Sequence, residues 1–151
     1  MTKFLLAVHV LAAIVAVGPV TVAASMFPPA ARRALADPKD VRATAVLDTL
    51  YRICRVYAGV GIAVPVFGFA TASGLGVLGD AWLITSVALT ASAAAVLVLL
   101  VLPRQHTLLS DTGRDAPALT RRLGMYTGLF NLLWATVTVL MIVRPGSTTG
   151  A

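Results

Sequence analysis

The chain alternates between long apolar runs and short polar segments. Four apolar runs lie at about residues 4–25, 56–78, 82–102 and 123–143. Each has the roughly 20 residues that an α-helix needs to cross about 30 Å of hydrocarbon. Runs such as VLVLLVL at 96–102 lack the alternation of polar and apolar residues that marks a membrane strand. The pattern therefore predicts an all-α, polytopic membrane protein, a bundle of four transmembrane helices.

Composition supports this class and leaves no room for a soluble domain. Hydrophobic residues make up 58% of the 151 residues and charged residues 12%, with a mean hydropathy of +0.90. A water-soluble domain of this size is much less apolar. Since the four spans use most of the chain, we predict a single domain covering residues 1–151.

The first polar segment predicts where two of the helices end and begin. Pro28 and Pro29 are expected to stop the first helix, because proline lacks an N–H and restricts the residue before it. Asp48 and Arg52 are spaced i,i+4 and favour a helix that starts at about Val41 and runs into the second span. The second helix is thus predicted to extend beyond the membrane on the cytoplasmic side.

Other residues predict bends, turns and an anchor. Pro19 and Pro65 are expected to bend spans one and two. The segment SGLGVLGDAW at 73–82 is rich in glycine and predicts a tight connection, with Trp82 anchored at the membrane interface.

The distribution of basic residues predicts the orientation. Ten of the twelve Lys and Arg residues lie between spans one and two or between spans three and four, and only Lys3 and Arg144 lie on the opposite side. Basic residues near span ends are retained in the cytoplasm, so both termini are expected outside a bacterial inner membrane. The net charge of +6 then indicates anionic lipid headgroups as partner and gives no indication of nucleic acid.

Small residues recur at helical spacing on three spans. The stripe on the fourth span contains a GxxxG pair and an amide, and its members are Gly124, Gly128, Asn131, Ala135 and Thr138. Shorter stripes contain Ser86, Thr90 and Ala93 on the third span, and Gly59 and Ala63 on the second. Helices in membranes associate through close contact of small residues, so we predict that these residues form helix-packing seams and that the fourth-span stripe meets another helix.

One histidine, His9, lies in the first apolar run. Steps of three and four along its helix reach only small residues, which are Ala12, Ala13, Ala16, Val20 and Ala23. This stripe is expected to face the bundle, where His9 is either a cofactor ligand or proton carrier, or a structural or interfacial polar contact.

Groups for other chemistry are few. The chain has no Glu, and none of its six Asp residues lies deep in a span, so paired carboxylates for ion transport are not predicted. Cys54 is the single cysteine and is expected to be a small buried residue. With one histidine in the spans, a haem on His9 would need Met26, Met125, Met141, water or another subunit as its second ligand. We predict no catalytic residues and no metal site.

Three stretches resemble a known family. The opening LLAVHVLAAIVAVGP, the basic segment followed by a Gly-rich end of span two, and the ending LMIVRPG are similar to the domain-of-unknown-function family 2269 of small bacterial membrane proteins. This resemblance implies a four-helix bundle, without an established activity. A more distant likeness to four-helix protoporphyrinogen oxidases and copper-resistance membrane proteins implies haem or metal binding by a first-span histidine, here His9. The chain lacks their tryptophan and arginine after that histidine and their intramembrane lysine.

Three functions follow as hypotheses. The first is a non-catalytic bundle that acts as an accessory, assembly or self-associating subunit, as a homo-oligomer or in a larger membrane complex. The second is a haem- or metal-binding redox protein that uses His9. The third is a transporter of a hydrophobic substrate. The shortage of titratable groups favours the first, without a cofactor.

Overall fold

The structure is a computed structural model that describes residues 2–110 and 113–146. Its helices are α1 (Thr2–Ala36), α2 (Val41–Val60), α3 (Ala63–Leu75), α4 (Ala81–Ala95), α5 (Leu102–Ser110) and α6 (Ala116–Val143), with a π-helical segment (Val96–Val101) between α4 and α5. Four helical stretches are long enough to cross a membrane and contain an apolar window: Lys3–Ala36, Val41–Leu75, Ala81–Ser110 and Ala116–Val143. The predicted all-α bundle of four membrane-spanning helices is confirmed.

The two ends of the bundle differ in what they contain. We call the end with the α1–α2 and α5–α6 connections the loop end, and the end with the start of α1, the α3–α4 connection and the end of α6 the terminal end. Helix α1 packs against α2, α3 and α6, and α4 packs against α6. At the loop end, α5 packs against α2 and α6 and so brings the second, third and fourth spans together.

The main core fills the half of the bundle next to the loop end. Phe27, Val101 and Leu123 are almost fully buried there and belong to one continuous apolar cluster. Large side chains from α1, the π-helical segment and α6 thus belong to one apolar core. This half holds the four spans together.

The half next to the terminal end is more open. A second, smaller cluster joins Ala72, Val77, Trp82 and Leu83, with Met141 packed against it. Away from this cluster, α3 packs against α1 and α4 packs against α6. A shallow concavity lies between α3 and α4. The bundle is therefore closed at the loop end and splayed at the terminal end.

The first helix is longer than predicted. Pro28 and Pro29 were expected to stop it, but α1 continues through both prolines to Ala36. The residues around them are buried, with Phe27 and Ala31 inside the main core. Burial of this face outweighs the loss of two backbone hydrogen bonds, so the prediction of a helix end at the proline pair is wrong.

The second span begins where predicted and is interrupted further on. Asp40 caps α2, and its Oδ1 accepts hydrogen bonds from the backbone N–H groups of Arg42 and Ala43. Asp48 pairs with Arg52 at 3.3 Å. The early start extends the span well beyond its apolar stretch, as expected.

The interruption of the second span lies just before Pro65. Gly61 and Ile62 form a turn between α2 and α3. The N–H of Val64 donates to the carbonyl of Gly61 three residues back, at 3.1 Å. Since Pro65 has no N–H to offer that carbonyl, the tighter bond replaces the missing one. The helix is interrupted just before Pro65, where a bend was predicted. Helix α1 is continuous through Pro19, and the bend predicted there stays a prediction.

Large apolar side chains cover much of the outside of the bundle. Examples are Leu11 and Ile14 on α1, Val66 on α3, Leu99 on the π-helical segment and Leu132 on α6. Exposure of apolar side chains on all four spans is expected for a protein whose solvent is lipid.

Candidate functional site

His9 lies in the contact between α1 and α3. The stripe that carries it faces the bundle as predicted, because Ala16, Val20 and Ala23 are all buried. His9 itself is half-buried. The imidazole therefore projects from α1 towards the neighbouring span rather than directly into lipid.

A glycine on α3 makes room for the ring. An added Cβ on Gly68 would lie 3.0 Å from Cε1 and 3.3 Å from Nδ1 of His9. A contact of 3.0 Å is closer than a side chain tolerates without a shift of the neighbour. Gly68 is thus the position that lets the histidine pack closely against α3, and sequence analysis missed it.

One hydrogen bond fixes the ring. Nδ1 of His9 lies 2.9 Å from the carbonyl oxygen of Val64. A carbonyl only accepts, so Nδ1 carries the proton and the neutral ring has its lone pair on Nε2. Val64 is the second residue of α3, directly after the Gly61–Ile62 turn. The bond therefore ties α1 to the place where the second span is interrupted.

A second ligand for a cofactor is not supplied by the first span. Met26 lies roughly 25 Å from His9 along the same helix, at 1.5 Å per residue, and Met125 is exposed near the loop end. Met141 packs against the Trp82 cluster. In the described ranges, 2–110 and 113–146, no group of three His, Cys, Asp or Glu residues converges on one point.

The predicted stripe on α6 has two different environments. At one end Gly124 lies against Pro28 of α1, whose Cγ would be 4.0 Å from an added Cβ. Asn131 Nδ2 donates to Ser25 Oγ at 3.1 Å. These two members of the stripe therefore join α6 to α1 within the chain.

The other members of the stripe face outward. Gly128, Ala135 and Thr138 are exposed, and no atom of the described chain lies within 4 Å of a Cβ added to Gly128. We call these three residues the outer α6 face. The side of α6 that fills the bundle consists of larger residues: Thr120, Leu123, Thr127, Phe130 and Val137.

The stripes on the other spans also divide. Ser86 and Ala93 are buried in the bundle and Thr90 is half-buried, so the third-span stripe faces inward. Ala63 is half-buried at the start of α3. Gly59 is exposed and has no neighbouring atom within 4 Å of an added Cβ. In this span the close approach is made at Gly68 instead.

Two polar side chains deep in the loop-end core were not anticipated. Gln105 is fully buried, and its Nε2 lies 3.6 Å from Sγ of Cys54. Its Oε1 and the Thr127 hydroxyl have no hydrogen-bond partner among the described residues. Cys54 is buried as predicted. Gln105 lies in α5, in a segment that the charge pattern assigned to a polar loop.

Charged groups meet around Trp82 at the terminal end. The indole Nε1 donates to Asp80 Oδ2 at 2.9 Å, and the guanidinium carbon of Arg144 lies 5.7 Å from the centre of the indole ring. Trp82 is only 7% exposed. The residue predicted to anchor at the interface is therefore packed within its apolar cluster and contacts two charged residues.

Comparison of the chain with models of protein families, with curated proteins and with solved structures gives no match. The resemblance to the domain-of-unknown-function family 2269 stays a prediction.

Proposed function

We propose that the protein is a non-catalytic membrane bundle that self-associates through the outer α6 face. One observation carries this proposal. The small residues Gly128, Ala135 and Thr138 are exposed, and no atom of the described chain lies within 4 Å of a Cβ added to Gly128. Small residues let two helix backbones approach closely, and such contacts drive helix association where lipid removes the hydrophobic driving force. A second copy of the same helix offers a matching surface.

The neighbouring amide supports this assignment. Asn131 borders the outer α6 face, and its Oδ1 is shielded and has no hydrogen-bond partner in the described chain. One N–H of its Nδ2 is donated to Ser25 Oγ, so the amide has a second N–H for a facing helix, and side-chain hydrogen bonds of this kind are common between membrane helices. A second α6 helix in the same orientation brings its own Asn131 to this region.

Cross-linking in nanodiscs and mass measurement in mild detergent test the proposal. The wild-type protein is expected to form a dimer or larger homo-oligomer, and Gly128→Leu is expected to shift it to monomer. Gly59→Leu is the matched control, because Gly59 is equally open but lies on α2. A monomeric wild-type protein, or equal effects of both substitutions, would contradict self-association through α6. A complex with a different protein that Gly128→Leu disrupts would instead indicate an accessory subunit.

We also propose that the loop end faces the cytoplasm of a bacterial cell and that both termini face outside. The charge distribution supports this orientation, with ten basic residues in the segments that form the loop end.

A second candidate function is haem or metal binding through His9. It is favoured by the hydrogen bond from Nδ1 to the Val64 carbonyl, since this is how proteins orient a histidine and leave Nε2 free to bind a metal. The second ligand would come from water or a second subunit. Haem would supply redox chemistry, while His9 would hold its iron and the Val64 carbonyl would orient the imidazole.

An absorption spectrum of the purified protein separates the two candidates. Haem ligation predicts a Soret band that His9→Ala abolishes and that His106→Ala leaves intact. His106 is the other histidine and is exposed on α5. A colourless protein without bound metal, purified from cells supplied with haem and trace metals, would contradict this candidate and leave self-association unaffected.

A further inference from the structure

At the terminal end, two residues of opposite charge contact the side chain of Trp82. Asp80 accepts the hydrogen bond of the Trp82 indole, and Arg144 lies over the same ring. Both charged residues are half-buried. In the described part of the chain no basic nitrogen lies within 4 Å of the Asp80 carboxylate, since the ion pair found there is Arg52 with Asp48 at the other end. Asp80 and Arg144 thus both contact Trp82 and form no ion pair with each other.

An apolar concavity lies near the same end of the bundle, between α3 and α4. It has a volume of about 150 Å³, is open on one side, and is lined by Phe69, Leu78, Leu83, Ile84 and Val87. Leu78 and Leu83 flank Asp80 in the sequence, and Leu83 also packs in the cluster of Trp82. From Asp80 to Val87 the concavity runs along roughly 10 Å of helix α4, at 1.5 Å per residue. Asp80, Trp82 and Arg144 thus form a charged rim at the terminal end, and the apolar groove lies along the same helix α4.

We propose that this rim and groove bind one phospholipid with a phosphoethanolamine headgroup. The Arg144 guanidinium offers its terminal N–H groups to the phosphate, because its Nε is already donated to the carbonyl of Met141 at 3.3 Å. The Asp80 carboxylate, with one oxygen held by Trp82, accepts from the ammonium. One acyl chain lies in the groove between α3 and α4.

The signs of the two charges select the lipid class. A purely anionic headgroup such as phosphatidylglycerol satisfies Arg144 but meets repulsion from Asp80. A choline headgroup has a quaternary ammonium without N–H donors, so it makes no hydrogen bond to Asp80. Only a primary ammonium next to a phosphate complements both residues. The proposal depends on the membrane location of the chain and is independent of self-association through α6.

Native mass spectrometry of the full chain, delipidated in detergent and titrated with defined lipids, tests the proposal. Phosphatidylethanolamine is expected to remain bound at lower concentration than phosphatidylcholine or phosphatidylglycerol of the same chains. Asp80→Asn keeps an acceptor for Trp82 but removes the charge. It is expected to lower affinity for phosphatidylethanolamine about threefold, the size of a half-exposed charge contact, and to raise affinity for phosphatidylglycerol.

Two further variants locate the site. Arg144→Gln is expected to weaken binding of all three lipids, and Val87→Trp, which fills the groove, is expected to weaken them without changing their order. Asp48→Asn is the control, since it removes one exposed carboxylate at the loop end. Equal retention of the three lipids by the wild-type protein would overturn the proposal. So would an unchanged lipid preference in Asp80→Asn, or an equal change in Asp48→Asn, provided that the variants melt at the wild-type temperature.

Discussion

The two halves of the bundle are built from the same kinds of residues but pack differently. Near the loop end, long side chains such as Phe27 and Leu123 fill the space between four spans, and even Gln105 is fully enclosed. Near the terminal end, α1 contributes the small residues Ala12, Ala13 and Ala16 beside His9, and α3 and α4 lie apart except close to their connection. The closed half specifies the fold, because its contacts involve all four spans. The open half contains His9, the groove and the Trp82 charges, and so has the features that suit binding.

The largest expected effect concerns the orientation of the bundle. Thiol labelling from outside the cell should be complete at one end and absent at the other. In a Cys54→Ala background, Arg114→Cys at the loop end should be protected from a membrane-impermeant thiol reagent added to intact cells. Ser147→Cys, in the tail outside the described residues, should react. Arg114→Cys should become reactive after the cells are broken. The opposite pattern would place the open half in the cytoplasm.

The difference in packing predicts unequal costs for removing the same ring. Phe27→Ala in the closed half should lower the free energy of unfolding by at least about 2 kcal/mol, because the cavity it leaves is enclosed on all sides. Phe69→Ala in the open half should cost under about 0.5 kcal/mol, because Phe69 is 52% exposed. Chemical unfolding in detergent measures both. Equal costs would show that the two halves do not differ in packing.

Replacing a glycine in the closed half with a larger residue should lower the stability of the protein. Gly124→Leu is expected to cost about 1–3 kcal/mol, because its new side chain meets Pro28. Gly128→Leu, one turn away on the outer α6 face, should leave the stability of the monomer within about 0.5 kcal/mol. Unfolding measured at dilutions that keep the protein monomeric separates this comparison from the test of self-association. A costly Gly128→Leu under these conditions would mean that α6 is rotated.

The smallest expected change in stability is that of substituting His9, and this residue is coupled to Gly68. His9→Ala removes one hydrogen bond, and polar contacts inside membranes average about 0.6 kcal/mol. Gly68→Ala should be destabilising in the wild-type protein, because its methyl group displaces the imidazole. In the His9→Ala background the same change should become stabilising, by the roughly 0.5–1 kcal/mol that alanine gains over glycine in a helix. Additive effects in this double-mutant cycle would show that the two residues do not touch.

The features that follow from local chemistry were predictable from the sequence. Span number follows from the length of the apolar runs, and the start of α2 at Val41 follows from the spacing of Asp48 and Arg52. The inward direction of the His9 stripe follows from helical periodicity. Each depends on a few neighbouring residues.

The remaining features depend on which residues of the other spans face a given position. The proline pair at 28–29 continues a helix because Phe27 and Ala31 are buried by other spans. Periodicity identified the stripe on α6, but it could not tell that Gly124 faces Pro28 while Gly128 faces outward, since both belong to one GxxxG pair on the same stripe. Gly68 gains its role from a histidine 59 positions earlier in the chain, which no local pattern contains.

The π-helical segment Val96–Val101 has a consequence for insertions and deletions in the third span. Ala93, Leu97, Val101 and Gln105 are all buried although they are spaced by four, a repeat that drifts around the surface of a regular α-helix with 3.6 residues per turn. The wider turn of the π-helix absorbs this drift, as one extra residue looped into the helix would. Deleting Leu99, an exposed residue in this segment, should therefore restore a regular helix and keep both flanking faces in register, whereas a deletion within α4 should rotate one face out of the bundle.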